Sequence, residues 1–379
     1  MTGTPRAAEF FAGIGLMRAG LEQAGIETVW ANDIEPAKRE LYAANFGSRE
    51  FVLADVRAVR GGDIPAVELA TASFPCTDLS LAGNRRGLGD TAAPPGGDGG
   101  SSMFWEFARV LDEMGSRRPG VVLLENVLGF GSSNGGRDLR SVVLELNRLG
   151  YSCDVRAIDA RHFVPQSRPR MFVVAITDPP QHETAIDVAG APRWLGRLFE
   201  STPGARLHQR RLPDLPRGPD DLRGVVETIP RDAADWWSAD RVARFVESLS
   251  PINQERLSSL LLRDDVVWRT AYRRTRGGRA VWEIRADGIA GCLRTARGGS
   301  SKQALVECAR GELRIRWLTP REYARLMGAP AFVLPQQRRN QALFGFGDAV
   351  CVPVVRWLCE NYVLPEARDS VRSELASVA

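Results

Sequence analysis

The amino-acid sequence predicts an α/β fold built on a mainly parallel β-sheet. A short apolar strand, Ala7–Phe11, leads through a glycine-rich turn into a helical pattern, Met17–Ala24. The runs Val67–Ala72 and Val121–Leu124 are continuously apolar, which is typical of strands buried on both faces of a parallel sheet. Further strands are predicted at 28–31, 51–53, 153–158 and 171–176, and helices at 35–46, 103–114 and 138–149.

The composition is that of a globular protein with a sizeable core. The chain has 379 residues, of which 44% are hydrophobic, and this length allows two or three domains. No apolar run reaches the ~18 residues of a membrane span, and Met1–Arg6 lacks the apolar stretch of a signal peptide. The 6 cysteines form no Cys-x-x-Cys pair and only 3 histidines are present. We therefore expect a cytoplasmic protein without a metal site.

The basic residues are concentrated in one part of the chain. The net charge is only +4, but nine basic residues and two acidic ones lie between Arg269 and Lys302. This local excess indicates a surface for a polyanion such as nucleic acid, although a GC-rich genome could explain the preference for Arg over Lys. Residues 179–225 are rich in Pro, Arg and Gly with weak periodicity, which favours an irregular recognition module.

The turn after the first strand resembles a nucleotide cradle. Its glycines, Gly13 and Gly15, allow a ligand to approach the backbone, and the helix that follows offers free N–H groups. Asp33 ends the second strand, where a carboxylate can accept hydrogen bonds from ribose hydroxyls. Asp55 ends the third strand and either reaches an adenine edge or caps a turn. An NAD-dependent enzyme would show the same pattern.

Cys76 is a candidate nucleophile. Pro75 precedes it at the end of a buried strand, and a thiolate is strongly nucleophilic. The alternative is a small, inert core residue. The loop that follows, Gly83–Ser102, is full of Gly and Pro, and its position favours an active-site lid over a plain linker.

Three further charged residues are candidates for the same site. Glu125 ends a buried strand, where burial raises the pKa of a carboxyl group and permits general acid catalysis; it could equally be a cap or a surface ion pair. Arg168 and Arg170 alternate on an extended segment and could form a fork for an anionic or carbonyl-rich ligand. A simple pair of surface arginines is the other interpretation.

In chain order these motifs resemble the DNA (cytosine-5) methyltransferase family over nearly the whole sequence. The motifs are Phe11-Ala-Gly13-Ile-Gly15, Asn32-Asp33, Asp55, Pro75-Cys76, Glu125-Asn-Val127, Gln166-x-Arg168-x-Arg170, Leu318-Thr-Pro-Arg-Glu322 and Gly347-Asp-Ala-Val350. The resemblance implies a Rossmann-like catalytic domain that binds S-adenosylmethionine, releases S-adenosylhomocysteine and methylates double-stranded DNA.

The resemblance also implies roles for individual residues. Cys76 would attack carbon 6 of an extruded cytosine, Glu125 would hold N3, Arg170 would bind the O2 carbonyl, and Arg168 would orient Glu125. The cofactor would be held by Phe11, Gly13, Gly15, Asp33, Ile34, Asp55, Val56, Pro75, Asp348, Ala349 and Val350. DNA would be contacted by Ser80, Arg85, Arg86, Arg273, Arg274, Arg276, Arg294 and Arg297.

The expected domains are 1–178 (catalytic), 179–316 (target recognition) and 317–379, which completes the catalytic domain. The chain departs from the family pattern at Glu9, usually Asp; at Leu16, often Gly; at Ile34, often aromatic; and at Asp348, usually Asn. We expect a restriction-modification or phage-defence role, with a cognate nuclease as possible partner and association with the nucleoid. Three rivals stay open: a tRNA-directed relative, a silent DNA-binding relative and an NAD oxidoreductase.

Overall fold

The computed structural model of the chain describes residues 3–75, 103–177, 179, 195–196, 200, 202, 204–294, 302–335 and 339–368. The fold divides into two compact units. The first comprises residues 1–158, 169–214 and 354–379, and the second comprises 159–168 and 215–353. The predicted C-terminal segment, 317–379, is therefore divided between the units at Pro353.

The first unit is built on a seven-stranded sheet of order β3-β2-β1-β4-β5-β7-β6. Its strands are β1 (Arg6–Phe10), β2 (Glu27–Asp33), β3 (Phe51–Leu53), β4 (Leu69–Ala72), β5 (Val121–Val127), β6 (Ser152–Asp159) and β7 (Pro169–Ile176). The pairs from β3 across to β5 are parallel, and β7 runs antiparallel to β5. The predicted mainly parallel sheet is confirmed.

Helices α1 (Leu16–Gln23), α2 (Pro36–Phe46), α3 (Met103–Glu113) and α4 (Arg137–Arg148) flank this sheet. The main core contains Phe10, Trp30, Phe107 and Leu146, from two strands and from α3 and α4. A smaller cluster containing Ala31 and Tyr42 packs α2 against the sheet. Because successive residues of a strand point to opposite faces, Trp30 and Ala31 place these two clusters on opposite sides of the sheet.

The second unit contains a four-stranded antiparallel sheet of order β11-β10-β8-β9. Its elements are α5 (Ala239–Glu247), α6 (Pro251–Leu261), β8 (Val267–Arg276), β9 (Arg279–Ile284), β10 (Ala304–Ala309), β11 (Glu312–Trp317), α7 (Pro320–Leu326) and α8 (Arg339–Asp348). Phe245, Leu257 and Ile315 belong to its own core. Within residues 239–317, which follow the segment predicted to be irregular, two helices pack on a regular sheet.

The described C-terminal residues form α9 (Val352–Leu358), a π-helical turn at Cys359–Val363 and a further helical stretch to residue 368. The predicted glycine turn at 344–350 is instead mostly helical, because α8 continues to Asp348. The helical stretch Asn340–Arg368 is long and apolar enough to cross a membrane by length and composition, but 67% of its most apolar window is buried inside the protein. Such burial is what a core helix of a globular protein shows.

Candidate active site

The turn between β1 and α1 forms a tight cradle. Phe11, Gly13 and Gly15 all have positive φ, which is rare for a bulky residue such as Phe11 (φ 56°). A Cβ at Gly15 would lie 2.5 Å from the ring of Phe46, so glycine is required there by packing against α2. A Cβ at Gly13 would meet nothing closer than 4.0 Å, so the backbone at Gly13 borders open space.

Asp33 fixes the shape of this cradle. Its carboxylate is 6% exposed and accepts hydrogen bonds from the backbone N–H groups of Gly13 and Glu35, both at 2.9 Å. The adjacent Ile34 is 61% exposed, so an apolar side chain lies on the surface beside the carboxylate. A buried carboxylate, an exposed apolar side chain and an open glycine backbone together fit a nucleoside-bearing ligand such as S-adenosylmethionine.

Asp55 adopts the capping role that the sequence left open. It is the N-cap of a short 3₁₀ turn, accepts a hydrogen bond from the N–H of Arg57 at 2.9 Å and forms an ion pair with the Arg57 guanidinium at 2.6 Å. Hydrogen bonding to Arg57 lowers the pKa of Asp55. Val56 begins that turn and is buried. Contacts of Asp55 and Val56 with a cofactor stay a prediction.

The end of β4 is held rigidly against β5. Phe74 is buried, and its ring packs 5.7 Å from the rings of Phe104 and Phe130. Its backbone carbonyl accepts a hydrogen bond from Nδ2 of Asn126 at 3.2 Å. Pro75 follows and is exposed. Cys76, the candidate nucleophile, lies outside the described residues, as do Ser80, Arg85 and Arg86.

Glu125 lies at the end of the neighbouring strand and forms an ion pair with Arg170. Nε of Arg170 is 3.0 Å from Oε1 of Glu125, and both side chains are largely buried. The sequence register explains the pair, because Val127 and Arg170 are partners in the antiparallel pairing of β5 and β7. Since β4 and β5 are parallel neighbours, with Ala72 opposite Leu124, the segment leading to Cys76 and the Glu125–Arg170 pair leave the same edge of the sheet.

Arg168 belongs to the second unit, and its expected role in orienting Glu125 stays a prediction. Its side chain is 1% exposed and its guanidinium donates to the carbonyls of Leu293 (2.9 Å), Gly347 (3.0 Å) and Ala349 (2.5 Å). The ion-pair partner of Glu125 is Arg170. Arg168 therefore fixes the backbone at the end of α8, the Gly347–Val350 motif, in the second unit.

The other predicted ligand contacts lie in the second unit or outside the described residues. Within α8 and the turn after it, Asp348 is exposed, Ala349 is partly buried and Val350 is buried. Arg273, Arg274 and Arg276 are exposed on β8, and Arg294 is exposed after β9; Arg297 lies outside the described residues.

Two asparagines were not among the candidate site residues although both matter to its shape. Asn126 ties the peptide before Pro75 to β5, as described above. Asn32 is 1% exposed and donates to the carbonyls of Val52 (3.0 Å) and Ala54 (2.8 Å), which fixes the end of β3 beside Asp33. The available signal was position, because each asparagine adjoins a carboxylate at a strand end.

Comparison with known proteins agrees with this geometry. The family model of C-5 cytosine-specific DNA methylases matches residues 6–363. Type II methyltransferase M.Bsp6I of Bacillus sp. (strain RFL6) is 27% identical over 360 residues, covering 93% of this chain and 97% of that protein. Type II methyltransferase M.HhaI of Haemophilus parahaemolyticus is 27% identical over 359 residues, covering 94% of this chain and 93% of that protein.

A solved structure shares the fold. The Dnmt2 methyltransferase of S. pombe aligns with a TM-score of 0.61 at 20% identity, covering 95% of this chain and 99% of that one. Because the family model spans almost the whole chain, the protein belongs to the C-5 cytosine-specific DNA methylase family.

Proposed function

We propose that the protein methylates carbon 5 of an extruded cytosine in a specific duplex DNA sequence, as the modification enzyme of a restriction-modification or phage-defence system. The observation that carries this proposal is the Glu125–Arg170 pair beside the strand end that leads to Cys76. A carboxyl group and a guanidinium at one edge of the sheet match the N3, N4 and O2 edge of cytosine. We expect the enzyme in the cytoplasm, associated with the nucleoid through its substrate.

The reaction needs a nucleophile because carbon 5 of cytosine is a weak nucleophile in the aromatic ring. The Cys76 thiolate adds to carbon 6 and converts the ring to an enamine, in which carbon 5 carries the electron density. Glu125 protonates or hydrogen-bonds N3 and so stabilises the charge that the addition creates. Loss of the carbon 5 proton and departure of the thiolate then restore the aromatic ring.

Arg170 has two tasks in this scheme. It orients Glu125 through their 3.0 Å ion pair, and, as the family resemblance implies, its guanidinium would bind the O2 carbonyl of the base. We assign to Arg168 the support of Glu125 that the family resemblance implies, and its bonds to the Gly347 and Ala349 carbonyls hold the Gly347–Val350 turn.

S-adenosylmethionine, when bound, supplies the methyl group. We assign its ribose to Asp33, its adenine to the exposed Ile34, and the approach of its chain to the open backbone at Gly13. The contributions of Phe11, Gly15, Asp55, Val56, Pro75, Asp348, Ala349 and Val350 are part of the same proposal.

The test is bisulfite sequencing of DNA from cells that express the protein, beside cells that express Cys76→Ala. We expect 5-methylcytosine in one sequence context for the wild type and none for the variant, which should still bind target DNA within about threefold. Full turnover by Cys76→Ala would exclude the thiol as nucleophile. Methylation of tRNA but not of duplex DNA would mean that the enzyme carries out the same reaction on an RNA substrate.

Glu125→Gln separates a chemical role from a structural one. The amide keeps the size of the side chain but cannot act as an acid, so we expect kcat to fall by roughly 10²- to 10⁴-fold with little change in DNA affinity. Single-turnover methylation and a DNA-binding isotherm measure the two effects. An equal loss of both would indicate that Glu125 merely holds Arg170.

A further inference from the structure

A pocket in the second unit combines tryptophan rings with arginine side chains. It has a volume of about 340 Å³ and is formed by α5 and the ends of β8, β9 and β11. We call it the Trp–Arg pocket; its lining residues are Trp237, Arg241, Arg244, Phe245, Ser248, Arg273, Ala280, Trp282 and Trp317. No acidic side chain is among them.

The three arginines of the pocket have no carboxylate partner among the described residues. Their neighbours on the same hairpin differ, because Arg274 and Arg276 both pair with Glu283, at 3.9 and 2.8 Å. The pleat of β8 explains the division, since Arg273 pairs opposite Trp282 on one face while Arg274 and Arg276 lie on the other. No carboxylate among the described residues therefore neutralises the positive charge of the pocket.

The aromatic walls stand close to that charge. The ring of Trp237 lies 5.5 Å from that of Trp282 and 5.2 Å from that of Trp317. The guanidinium of Arg241 lies over the Trp237 ring at 4.0 Å and 5.2 Å from the Trp317 ring. Burial lowers the pKa of Arg241, and the charge of Arg244 lowers it further, so an anion in the pocket would be stabilised by both groups.

This combination selects for one ligand chemistry. Unneutralised arginines exclude a cation, and a bare phosphate would make no use of three tryptophan rings. A phosphate attached to a flat ring uses both, which is how proteins hold unpaired nucleotides. Inside a duplex the faces of the bases are covered by their stacked neighbours, so only an unpaired base offers its face to an indole ring.

We propose that the Trp–Arg pocket binds an unpaired nucleotide of a nucleic-acid strand, with the phosphate on the arginines and the base against the tryptophans. This goes beyond the proposed function, because Glu125 and Arg170, which we assign to the target cytosine, belong to the first unit, whereas every residue of the pocket belongs to the second.

The experiment follows tryptophan fluorescence of the full chain, without cofactor, during titration with a short oligothymidylate. Blunt duplex of the same length and inorganic phosphate serve as comparison probes. We expect strong quenching by the single strand, and weaker binding of the duplex and of phosphate. Equal quenching by all three probes would contradict stacking of a base on the tryptophan rings. Absence of quenching by the single strand would overturn the whole proposal.

Two variants and a matched control locate the binding. Arg273→Gln should weaken oligothymidylate binding about tenfold, and because Arg273 is exposed its loss should leave the fold intact. Trp282→Leu should weaken binding about tenfold or more and remove most of the quenching. Arg263→Gln changes the net charge equally but removes an exposed side chain that is paired with Asp265, so the affinity of this variant should stay within about twofold.

The outcomes separate this inference from the proposed function. A loss of oligothymidylate binding in Arg263→Gln as large as that in Arg273→Gln would show that only the overall charge matters and would overturn the proposed pocket. A chain that fails to methylate any DNA, yet shows the single-strand preference and its loss in Arg273→Gln, would contradict the proposed function and support the Trp–Arg pocket.

Discussion

At the scale of single residues, the most unusual group is the carboxyl of Glu9 in the middle of β1. It is 1% exposed, and neither oxygen has a hydrogen-bond partner among the described residues. Burial raises its pKa to about 8; Asp33 and Glu22 add to the shift, while Arg18 opposes it. Glu9 is therefore largely protonated in the folded protein at neutral pH but ionised in the unfolded chain.

This difference predicts a pH-dependent stability. Below the unfolded pKa of 4.5 both states carry the proton, so the contribution of Glu9 is complete, and it is lost as the pH rises towards about 8. The free energy of unfolding should fall by up to ~1.4 kcal/mol per pH unit from this group, and Glu9→Gln should remove the slope.

Urea unfolding at pH 5, 6, 7 and 8 measures this slope. Glu27→Gln, which changes an exposed carboxyl on the neighbouring strand, is the control and should keep the wild-type slope. If the unfolding free energy changes with pH equally for Glu9→Gln and the wild type, the Glu9 carboxyl is ionised in the folded protein.

The two arginines show what a sequence can and cannot predict at this scale. Glu125 was identified from its place at the end of a buried strand, and Arg168 and Arg170 from their alternation, but alternate residues share a face only inside a strand. Because β7 begins at Pro169, Arg168 lies outside it, and only Arg170 lies opposite Val127 in the pairing with β5. The pairing partner of β7 is a tertiary property that periodicity does not encode.

At the scale of elements, the start of α7 is the best-predicted feature of the second unit. The sequence Thr-Pro-Arg-Glu predicts a capping box, and the structure confirms it, with Thr319 and Glu322 bonded reciprocally. The structure adds that Glu322 and Arg316 form a fully buried ion pair at 2.5 Å, which joins β11 to α7. Glu322 also accepts from the N–H of Glu227 at 2.9 Å.

Glu322→Ala should therefore lower the free energy of unfolding by more than the loss of a helix cap alone would. Removing the carboxylate leaves the Arg316 guanidinium buried without its partner, which costs about 3–5 kcal/mol, whereas Thr319→Ala should cost about 1 kcal/mol. Urea unfolding of both variants measures the difference, with the exposed Glu255→Ala as control. Similar costs for Glu322→Ala and Thr319→Ala would mean that the ion pair adds nothing beyond the cap.

A chain of buried polar groups holds the C-terminal helical segment to β6. Nδ1 of His208 lies 3.0 Å from Ser152 Oγ, its Nε2 lies 2.7 Å from Tyr362 Oη, and that hydroxyl donates to Asp154 at 3.0 Å. Burial lowers the pKa of His208 to about 4, so it stays neutral. A neutral imidazole that donates from Nε2 to Tyr362 Oη and accepts at Nδ1 from Ser152 Oγ gives each of these hydrogen-bonded groups a partner.

Tyr362→Phe should destabilise the first unit. It removes the hydroxyl that bonds Nε2 of His208, so this buried ring nitrogen loses its partner, whereas Asp154 keeps its ion pair with Arg156; the cost should be about 1–3 kcal/mol. Differential scanning calorimetry measures the change, and Tyr272→Phe, at a half-buried site on β8, is the control. A melting temperature equal to that of the wild type would mean that water replaces the hydroxyl.

The helices and strands of the first unit were predictable because their apolar patterns are long. The antiparallel sheet of the second unit was not, because its arginines hide the alternation. In β8 only Thr270 and Ala271 are buried, and residues 273–276 are all exposed. The strand is set by its pairing with β9 and β10, which no local pattern shows.

At the scale of the whole molecule, the distribution of paired and unpaired charge matters more than the net charge of +4. Several exposed arginines in the second unit are neutralised by close carboxylates; Arg263, for example, lies 2.8 Å from Asp265. Arg294 is exposed and has no ion pair among the described residues.

Arg294→Gln should therefore reduce the salt dependence of DNA binding. Each phosphate contact contributes about 0.9 to the slope of log K against log salt, so the slope should fall by about that amount. Arg263→Gln, with the same change in net charge, should leave the slope nearly unchanged. Fluorescence anisotropy with labelled duplex at several salt concentrations measures both slopes, and identical slopes would place Arg294 away from the DNA backbone.

The first unit is assembled from separated parts of the chain, and one part, residues 354–379, is synthesised after the whole of the second unit. Tyr362, which completes the buried polar chain with His208, lies in that part. During translation the residues of the second unit leave the ribosome before it, so this unit can fold while the first still lacks its final helix. The first unit can therefore reach its complete form only after its C-terminal helical segment has been synthesised.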